Sequence, residues 1–491
     1  MPSTIVLFTD TNLRLADHPA LDAAAARGMP VIPLFVMDTS APTDEAPGGA
    51  ARWWLHHSLN ALKADLKAIG SDLVIAAGEL ADEVERVAKT AGADAVYISR
   101  QYGPHMRDVE RALHDRLSAV GITVKRYAGH VMHEPDLIRT GADKPYTVFS
   151  PFWKKCLASD HPGEPLPAPN TLTPPDSWPD SLPIEALNLL PTIGWDKGFY
   201  AHWTPGRKGA EDRFNRFLKS ALHAYDDKRD RPDVEGTSAL SPHIRFGEIS
   251  TREIRHRVAN LAADHPPIRS HAEHYIRELG WREFSYHLLF NFPHLSREPL
   301  REQFAHFPWA KAGKGVDTEW LNRWQRGETG YPIVDAGMRQ LWQTGWMHNR
   351  VRMIVASFLV KELLWHWLDG EAWFWDCLLD ADLASNSASW QWAAGSGADA
   401  APYFRIFNPI LQGEKFDPKG DYVRTYVPEL KNMPDKYLHK PFDAPGLDLS
   451  ANGITLGKTY PNPIVDRQKA REKALKALDE SKARLGQLRA S

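Results

Sequence analysis

The first 130 residues alternate between short apolar runs and amphipathic stretches that carry apolar residues at spacings of three and four. Such runs are typical of buried strands, and such stretches are typical of helices. Strands that alternate with helices form a parallel sheet covered on both faces. The pattern therefore predicts an α/β domain at residues 1–130. Its strands are expected at residues 4–9, 31–37, 73–76, 95–99 and 123–127, with helices at 16–27, at 51–69 and from residues 80 and 107.

A proline-dense segment, PGEPLPAPNTLTPPDSWPDSLP at residues 162–183, separates this domain from the rest of the chain. Proline fixes φ and removes a backbone donor, so such a segment favours an extended connector. We expect an interdomain linker at residues 131–206, in which the run TVFSPFWKK packs a helical turn against one of the domains.

Helical periodicity dominates the remainder of the chain and predicts a large all-α domain at residues 207–491. The polar tail after Pro463 is expected to form an amphipathic surface helix. The other helices are expected at residues 211–224, 251–263, 272–290, 333–343 and 349–367.

Composition narrows the functional classes. The chain has 491 residues and a net charge of −3, so a surface that binds nucleic acid has to be a local basic patch. Its two cysteines offer neither a disulfide framework nor metal-site spacing, which fits a reducing compartment. No apolar run approaches the roughly 18–20 residues of a membrane span, and no signal peptide is recognisable, so we expect a cytoplasmic protein without membrane contact. Twelve of the 18 tryptophans lie between Trp281 and Trp392.

Two neighbouring segments concentrate polar chemistry. In GWMHNRVRM, Arg352 lies in a mainly apolar helix and needs an ionic partner, because an unpaired buried charge is very costly. Asp380, in DADLASNSASWQW, is the natural partner. Asp380, Asp382 and Asn386 would also suit a metal ion, but neither further ligands nor glycine-turn spacing follow them.

Two other segments allow both a structural and a ligand-binding interpretation. TSALS, at residues 237–241, places hydroxyl groups before a helix, where they either bind phosphate or cap the helix. In RELGWREF, Glu278 and Trp281 share one helical face. They are either a core tryptophan beside a solvated glutamate or a pair that contacts a ligand.

These segments, together with YDDKRDRPDVEGTSALSPHIRFGEIS at residues 225–250, resemble the photolyase/cryptochrome family, in particular a bacterial cyclobutane pyrimidine dimer photolyase, with class III as a candidate subclass. The resemblance covers residues 5–430. It implies a Rossmann-like α/β domain for an antenna chromophore and an all-α domain that binds FAD. The implied activity is that of a deoxyribodipyrimidine photo-lyase: photoexcited reduced FAD transfers an electron to a pyrimidine dimer flipped out of UV-damaged DNA.

The resemblance also implies which residues hold FAD. Asn386 would face flavin N5, where a neutral amide forms a hydrogen bond but cannot donate a proton as a carboxylic acid does, and this favours repair over signalling. Ala239 departs from members of the family that carry arginine there. The implied FAD-binding residues are Tyr225, Thr237, Ser238, Ala239, Leu240, Ser241, Arg352, Asp380, Ala381, Asp382 and Asn386.

The same comparison implies the residues that contact DNA. Glu278 and Asn349 would hydrogen-bond the dimer, and with Asn386 they are the expected catalytic residues. Trp281 and Trp392 would hold the dimer by stacking. The other implied DNA contacts are Met353, which faces the lesion, and Arg229, Arg350 and Arg405, which meet phosphates.

Three tryptophans match an electron-hopping chain: Trp390 next to the flavin, Trp367 in the middle and Trp309 at the end. Trp320 competes for the last position, because the loop after Trp309 is longer than expected. The run FTDTNLRLADHPAL at residues 8–21 is similar to the opening motif of the family, with several departures. The expected antenna is methenyltetrahydrofolate, with a deazaflavin as the alternative.

Two other functions are considered. The first is a cryptochrome-like blue-light photoreceptor without repair activity, and the second is a nucleotide-binding α/β enzyme with a helical cap. Asn386, the pair of Trp281 and Trp392, and the short tail after Pro463 favour repair over photoreception. We expect a monomer.

Overall fold

The computed structural model describes residues 2–159, 162–310, 313, 318–399 and 404–490. Within these ranges the strands are β1 (Ser3–Phe8), β2 (Val31–Asp38), β3 (Val74–Gly78), β4 (Ala93–Ser99) and β5 (Thr123–Tyr127). They form one parallel sheet in the order β3-β2-β1-β4-β5. Ile5 of β1 lies in register between Ile32 of β2 and Val96 of β4, and all three side chains are buried. The five predicted strands are confirmed, each to within two residues at either end.

The helices of the α/β part and of the segment that follows it are α1 (Pro19–Ala25), α2 (Gly49–Ala68), α3 (Leu80–Thr90), α4 (Pro104–Ala119), α5 (Phe149–Ala158) and α6 (Phe199–His202). Those of the helical part are α7 (Arg207–Lys219), α8 (Tyr225–Lys228), α9 (Ser241–Arg245), α10 (Thr251–Asp264), α11 (Arg269–Asn291), α12 (Glu319–Arg326), α13 (Pro332–Thr344), α14 (Asn349–Ser357), α15 (Trp367–Cys377), α16 (Leu383–Ala394), α17 (Pro409–Phe416), α18 (Asp421–Tyr426), α19 (Asp435–Leu438), α20 (Gly446–Ala451) and α21 (Arg467–Ala490).

The proline-rich segment after β5 lies along the α/β domain. Leu172 donates its backbone N–H to the carbonyl of Ile69, and Leu182 donates to that of Ile75 in β3, at 3.1 and 2.9 Å. The run expected to form a helical turn is α5, which packs against α11. The segment therefore follows the sheet before it reaches the helical domain.

The single helix expected over residues 349–367 is wrong. α14 gives way to a π-helical turn at Phe358–Glu362, and Leu364 adopts a φ of +55°. The next helix, α15, begins at Trp367, and the ring of His366 caps its N-terminus. Buried residues continue through the break, so the spacing of apolar residues could not reveal it.

The opening motif at residues 8–21 connects the two domains. The guanidinium of Arg14 donates to the carbonyls of Asp17, Gly247 and Gly129 at 2.9 to 3.1 Å. The carboxylate of Asp17 is ion-paired with Arg252 at the start of α10. Burial lowers the pKa of Arg14 to about 10. These polar groups are buried at the domain contact, so the motif positions the helical domain on the sheet.

The tail forms the long helix α21, which buries Ala470, Ala474 and Ala477 and exposes its charged face. Near its start, Arg467 lies 3.4 Å from the buried carboxylate of Glu362 in the π-helical turn. None of the described helices is both long and apolar enough to cross a membrane.

Candidate active site

A cavity of about 600 Å³ opens between α8, α11, α14, α16 and the loop that precedes α9. Most of the residues singled out in the sequence converge on it from stretches far apart in the chain. They are Tyr225, Arg229, Thr237, Ser238, Ala239, Leu240, Ser241, Glu278, Trp281, Asn349, Arg350, Arg352, Met353, Asp380, Ala381, Asp382, Asn386, Trp390 and Trp392. Arg405, Trp367 and Trp309 do not line this cavity.

The hydroxyl groups of the loop at residues 237–241 do not cap the helix that follows. The N-cap of α9 is Leu240, without a side-chain hydrogen bond to the helix. Ser238 instead accepts a hydrogen bond from Tyr275 at 3.1 Å, and Ser241 accepts one from the indole of Trp346 at 3.1 Å. Ala239 adopts a φ of +47°, which turns the loop along the cavity wall. The helix-capping interpretation of TSALS is therefore wrong, and the loop faces the cavity.

Arg352 and Asp380 form the expected ion pair. Both nitrogens of the guanidinium fork meet both carboxylate oxygens, at 3.0 and 2.7 Å. The Nε of Arg352 also donates to the carbonyl of Met347 at 2.7 Å. The side chain of Asp380 is 3% exposed, so this bidentate pair compensates a nearly buried charge at the cavity wall.

Asp382 begins helix α16. Its Oδ1 accepts the backbone N–H of Ser385 at 2.8 Å as an N-cap, and its Oδ2 accepts a hydrogen bond from the hydroxyl of Tyr286. Burial raises the pKa of Tyr286 well above its ordinary value, so this hydroxyl remains a donor. Since Asp380 is held by an arginine and Asp382 by a helix and a tyrosine, the two carboxylates are already satisfied without a metal ion.

Asn386 lies one turn into α16 with its amide oriented by the neighbouring helix. The NH₂ group donates to the backbone carbonyl of Glu371 in α15 at 3.1 Å. This bond engages one N–H of the amide, and the residue lines the cavity. The side chain of Glu371 accepts a hydrogen bond from Ser387 at 2.6 Å, and burial raises its pKa to about 8.

Glu278 is held within a polar network at the cavity mouth. Its carboxylate is ion-paired with Arg229, and the same guanidinium donates to the ring of His274 at 2.7 Å. The other ring nitrogen of His274 lies 2.6 Å from a carboxylate oxygen of Asp226. Arg229, expected to contact phosphate, is therefore engaged by the residue expected to bind the dimer.

The aromatic residues expected to hold the dimer lie on two different helices. Trp281 of α11 stacks on Phe149 with ring centroids 3.7 Å apart and planes 10° apart. This stacking fixes one face of the indole. Trp392 of α16 is half-buried and approaches Phe407 at 6.4 Å. Both indoles line the cavity.

The mouth also includes the start of α14. His348 caps this helix through its ring nitrogen, and burial lowers its pKa to about 4. Asn349 follows as an exposed residue. Arg350 is ion-paired with Asp230 at 2.6 Å and lies 4.5 Å over the ring of Phe416.

Trp390 and Trp367 of the expected electron chain are buried, and Trp309 is half-buried. Trp390 meets Phe374 edge-on at 5.0 Å, and a Cβ at Gly370 would overlap its ring. Trp367 is the first residue of α15, the helix that contains Phe374 and Gly370, and it lies one turn before Gly370. His366 connects it to Trp309, with ring centroids 5.7 and 5.9 Å apart.

Trp320, the competitor for the last position in that chain, lies in α12 and is 45% exposed. The longer loop noted after Trp309 falls mostly at residues 311–317, and all but residue 313 of it lies outside the described residues.

Comparisons with known proteins agree on one family. The DNA photolyase family matches residues 4–170, and the FAD binding domain of DNA photolyase matches residues 275–480. The chain is 48% identical over 476 residues to the deoxyribodipyrimidine photo-lyase of Agrobacterium fabrum, with 96% of this chain and 97% of that protein covered. This chain belongs to the DNA photolyase family.

Solved structures show how far the similarity to the family extends. The crystal structure of a bacterial class III photolyase from Agrobacterium tumefaciens matches with a TM-score of 0.93 at 48% identity, covering 98% of each chain. A cryptochrome from Synechocystis matches with a TM-score of 0.89 at 29% identity, covering 97% of this chain and 99% of that one. Cryptochrome-2 of Arabidopsis thaliana is 38% identical over 98% of this chain and 79% of its own length. The relatives of this chain therefore include both photolyases and cryptochromes.

The cavity of this photolyase-family protein fits FAD in the chemistry of its lining. Hydroxyl groups and backbone of the loop at residues 237–241 offer donors for a diphosphate, and Arg352 adds a cation. Asp380 and Asp382 offer acceptors, and Asn386 offers an amide oxygen. An FAD-binding domain is what the matched family implies for residues 275–480.

Among the cavity residues that were missed in the sequence, three hold its polar groups in place. Arg245 is 8% exposed and donates to the carbonyl of Ala381 at 2.6 Å and to Asp10 at 2.8 Å. Tyr275 and Trp346 hold the hydroxyl groups of the loop. All three lie within or beside motifs that were recognised, but only the buried arginine carried a signal, namely a charge in an apolar setting.

Proposed function

We propose that this protein repairs cyclobutane pyrimidine dimers in DNA in a light-dependent reaction, as a deoxyribodipyrimidine photolyase. The observation that carries the proposal is the cavity itself. It is lined both by the residues expected to bind FAD and by Glu278, Trp281, Asn349 and Trp392, which are expected to bind the dimer. The relative from Agrobacterium fabrum, which carries the photolyase name, supports this function.

The residues that would hold FAD are the loop at residues 237–241, Arg352, Asp380, Asp382 and Asn386. When bound in its reduced form and excited by light, FAD supplies the electron that opens the cyclobutane ring. The ion pair of Arg352 with Asp380 keeps a positive charge at the cavity wall without leaving it unpaired. Asn386 presents an acceptor that stays neutral at any working pH, so it orients a partner N–H without exchanging a proton with it.

The dimer is held by groups at the mouth. Asn349 donates a hydrogen bond to the dimer and stabilises the negative charge that develops on it, and the Glu278 carboxylate accepts a hydrogen bond from a base N–H. Arg229 and His274 position the Glu278 carboxylate. The indoles of Trp281 and Trp392 stack on the extruded bases, which excludes water from them. Binding to DNA weakens as salt rises, because phosphate contacts release counterions.

The experiment that tests this proposal is blue-light illumination of the reduced protein with DNA that carries a thymine dimer. We expect loss of the lesion in light only. The variant Glu278→Ala/Trp281→Ala/Asn349→Ala should lose this activity, whereas Glu273→Ala/Trp178→Ala, at exposed positions, should keep it. Repair that survives the triple substitution contradicts the assignment. No repair by a wild-type protein that binds and reduces flavin would instead favour the cryptochrome-like photoreceptor.

We also propose Trp390, Trp367 and Trp309 as the route by which electrons reach the cavity from the surface. The ring contacts from Trp367 through His366 to Trp309 support Trp309 over Trp320 as the outer member. Blue-light reduction of the oxidised protein should therefore slow in Trp309→Phe and stay unchanged in Trp320→Phe. The opposite result would assign the outer position to Trp320.

For the antenna, we propose methenyltetrahydrofolate in the α/β domain, with a deazaflavin as the alternative. An archaeal photolyase from Sulfolobus tokodaii, described with two FAD molecules, matches with a TM-score of 0.79 at 28% identity, so related chains accommodate a second chromophore. Chromatography of the chromophores released from purified protein distinguishes the candidates. A class III subclass, a monomeric state and a cytoplasmic location also remain proposals.

A further inference from the structure

A second cavity, of about 500 Å³, lies on the far side of Trp392 between α16, α21 and the π-helical turn. Among the described residues that line it, five have basic side chains, and one, Asp479, is acidic and ion-paired with Lys482 at 3.3 Å. The basic residues are Arg301, Lys361, Arg405, Arg471 and Lys482. A protein whose net charge is −3 thus concentrates positive charge in one recess. We call this recess the cationic cavity.

Lys361 shows that the cationic cavity is constructed rather than incidental. Its side chain is 1% exposed, its ammonium group donates to the carbonyl of Ala394 at 2.6 Å, and it lies 3.0 Å from the ring centroid of Phe404. Burial lowers its pKa well below the ordinary value. Among the described residues its partners are this carbonyl and this ring, so an anion in the cavity would favour the protonated lysine that burial disfavours.

Aromatic side chains line the same recess. Trp392 and Phe407 lie 6.4 Å apart, and the guanidinium of Arg405 lies 5.1 Å over the ring of Phe407. Proteins that bind single-stranded nucleic acid combine cations, which follow the phosphates, with aromatic rings, on which bases stack. The cationic cavity has both elements, so its lining suits a nucleotide better than an inorganic anion.

Trp392 lines both cavities. Arg405, which was expected to contact a phosphate of the DNA, lies in the cationic cavity and not in the larger one. A DNA strand whose dimer occupies the larger cavity would therefore reach the cationic cavity by passing one indole. The nucleotide next to the dimer is the closest group able to do so.

We propose that the cationic cavity binds the nucleotide adjacent to the dimer in the same DNA strand, with its phosphate among the cations and its base against the aromatic wall. The proposal rests on the proposed repair function. It assigns Arg471 and Lys482, which belong to the C-terminal helix, to DNA binding. The cavity acts as a second anchor that fixes which way the damaged strand runs across the site.

The test uses the full-length protein in the dark and a short single-stranded oligonucleotide with a central thymine dimer. Binding is measured by fluorescence anisotropy for the intact strand and for strands with an abasic site on either side of the dimer. The variant Arg471→Ala/Lys482→Ala is compared with Lys473→Ala/Lys476→Ala, which removes two exposed lysines of the same helix outside the cavity.

Removal of the base on one side should weaken binding by the wild type and by the control about 5- to 100-fold, the range that corresponds to loss of one stacked base. Removal on the other side should have little effect. The cavity variant should bind the intact strand about tenfold less tightly and should no longer respond to the abasic site. Equal responses to both abasic sites, or a cavity variant that binds like the control, would overturn the proposal.

Two further measurements separate this proposal from its alternatives. Free thymidine monophosphate that abolishes the abasic-site effect would assign the cavity to a free nucleotide and overturn the DNA assignment. A reduced salt dependence in the cavity variant, without any abasic-site effect in the wild type, would limit the cavity to backbone phosphate and overturn the base contact. Light-driven repair of an isolated dimer dinucleotide should be equal in all three proteins. Its absence in all of them would contradict the repair function itself.

Discussion

Glu371 provides the most direct test of how the cavity wall is built. Its carboxyl group is 8% exposed, accepts a hydrogen bond from Ser387 and has a pKa raised by burial from 4.5 to about 8. The folded protein therefore keeps a proton that the unfolded chain releases above about pH 4.5. At about 1.36 kcal/mol for each pH unit, this difference lowers the free energy of unfolding by on the order of 5 kcal/mol between pH 4.5 and pH 8. The contribution is complete below the unfolded pKa and is lost as pH rises through the folded one.

Replacement by glutamine should remove this pH dependence. Glutamine keeps the acceptor for Ser387, and the bond from Asn386 to the backbone of residue 371 remains. The difference in melting temperature between Glu371→Gln and wild type should grow in favour of the variant from pH 5 to pH 8, by about 5 °C in total for a chain of this length. Glu472→Gln, on the exposed face of α21, controls for removal of a surface carboxylate. Parallel curves for Glu371→Gln and wild type would refute a protonated carboxyl at this position.

Three further predictions follow from the cavity. Asp380→Asn leaves Arg352 without its counter-ion, which should destabilise the cavity wall by about 3–5 kcal/mol. The purified variant should therefore have a lower ratio of flavin to protein absorbance. An unchanged ratio would mean that the ion pair does not support the cofactor. Trp390→Phe should stop blue-light reduction of the oxidised protein but preserve repair by chemically reduced protein, and loss of both activities would point to a packing defect. Ala239→Gly should raise the melting temperature by about 1 °C, because glycine relieves about 1–2 kcal/mol of left-handed strain at a φ of +47°. Ala239→Val should lower the melting temperature. Equal melting temperatures for the two variants would argue against this loop geometry.

The parts of the fold that could be predicted depend on local periodicity. The five strands are short apolar runs bounded by polar residues, so their positions followed from the sequence to within two residues. The ion pair of Arg352 with Asp380 could also be predicted, because a charge in an apolar helix requires a partner and few candidates were available. In both cases a requirement of the local sequence, either to bury an apolar run or to pair a charge, could be met in only a few ways.

The parts that could not be predicted depend on contacts between distant residues. The break at Phe358–Glu362 interrupts a stretch that is buried on all sides, and periodicity carries no information where every side is buried. The partners of Arg245 are Asp10 and Ala381, which lie more than 130 residues away in opposite directions. The raised pKa of Glu371 likewise results from tertiary burial alone.

Arg245 shows why the α/β domain matters to a cavity that it does not line. Asp10 follows β1 at the carboxyl end of the sheet, beside the point where the strand order reverses between β1 and β4. Arg245 joins Asp10 to the carbonyl of Ala381, the residue between the two cavity carboxylates Asp380 and Asp382. Because a buried arginine retains its position only while its partners do, the end of β1 supports the backbone that aims both carboxylates. The two domains are therefore one mechanical unit at this site, and the geometry of the cofactor pocket depends on the sheet.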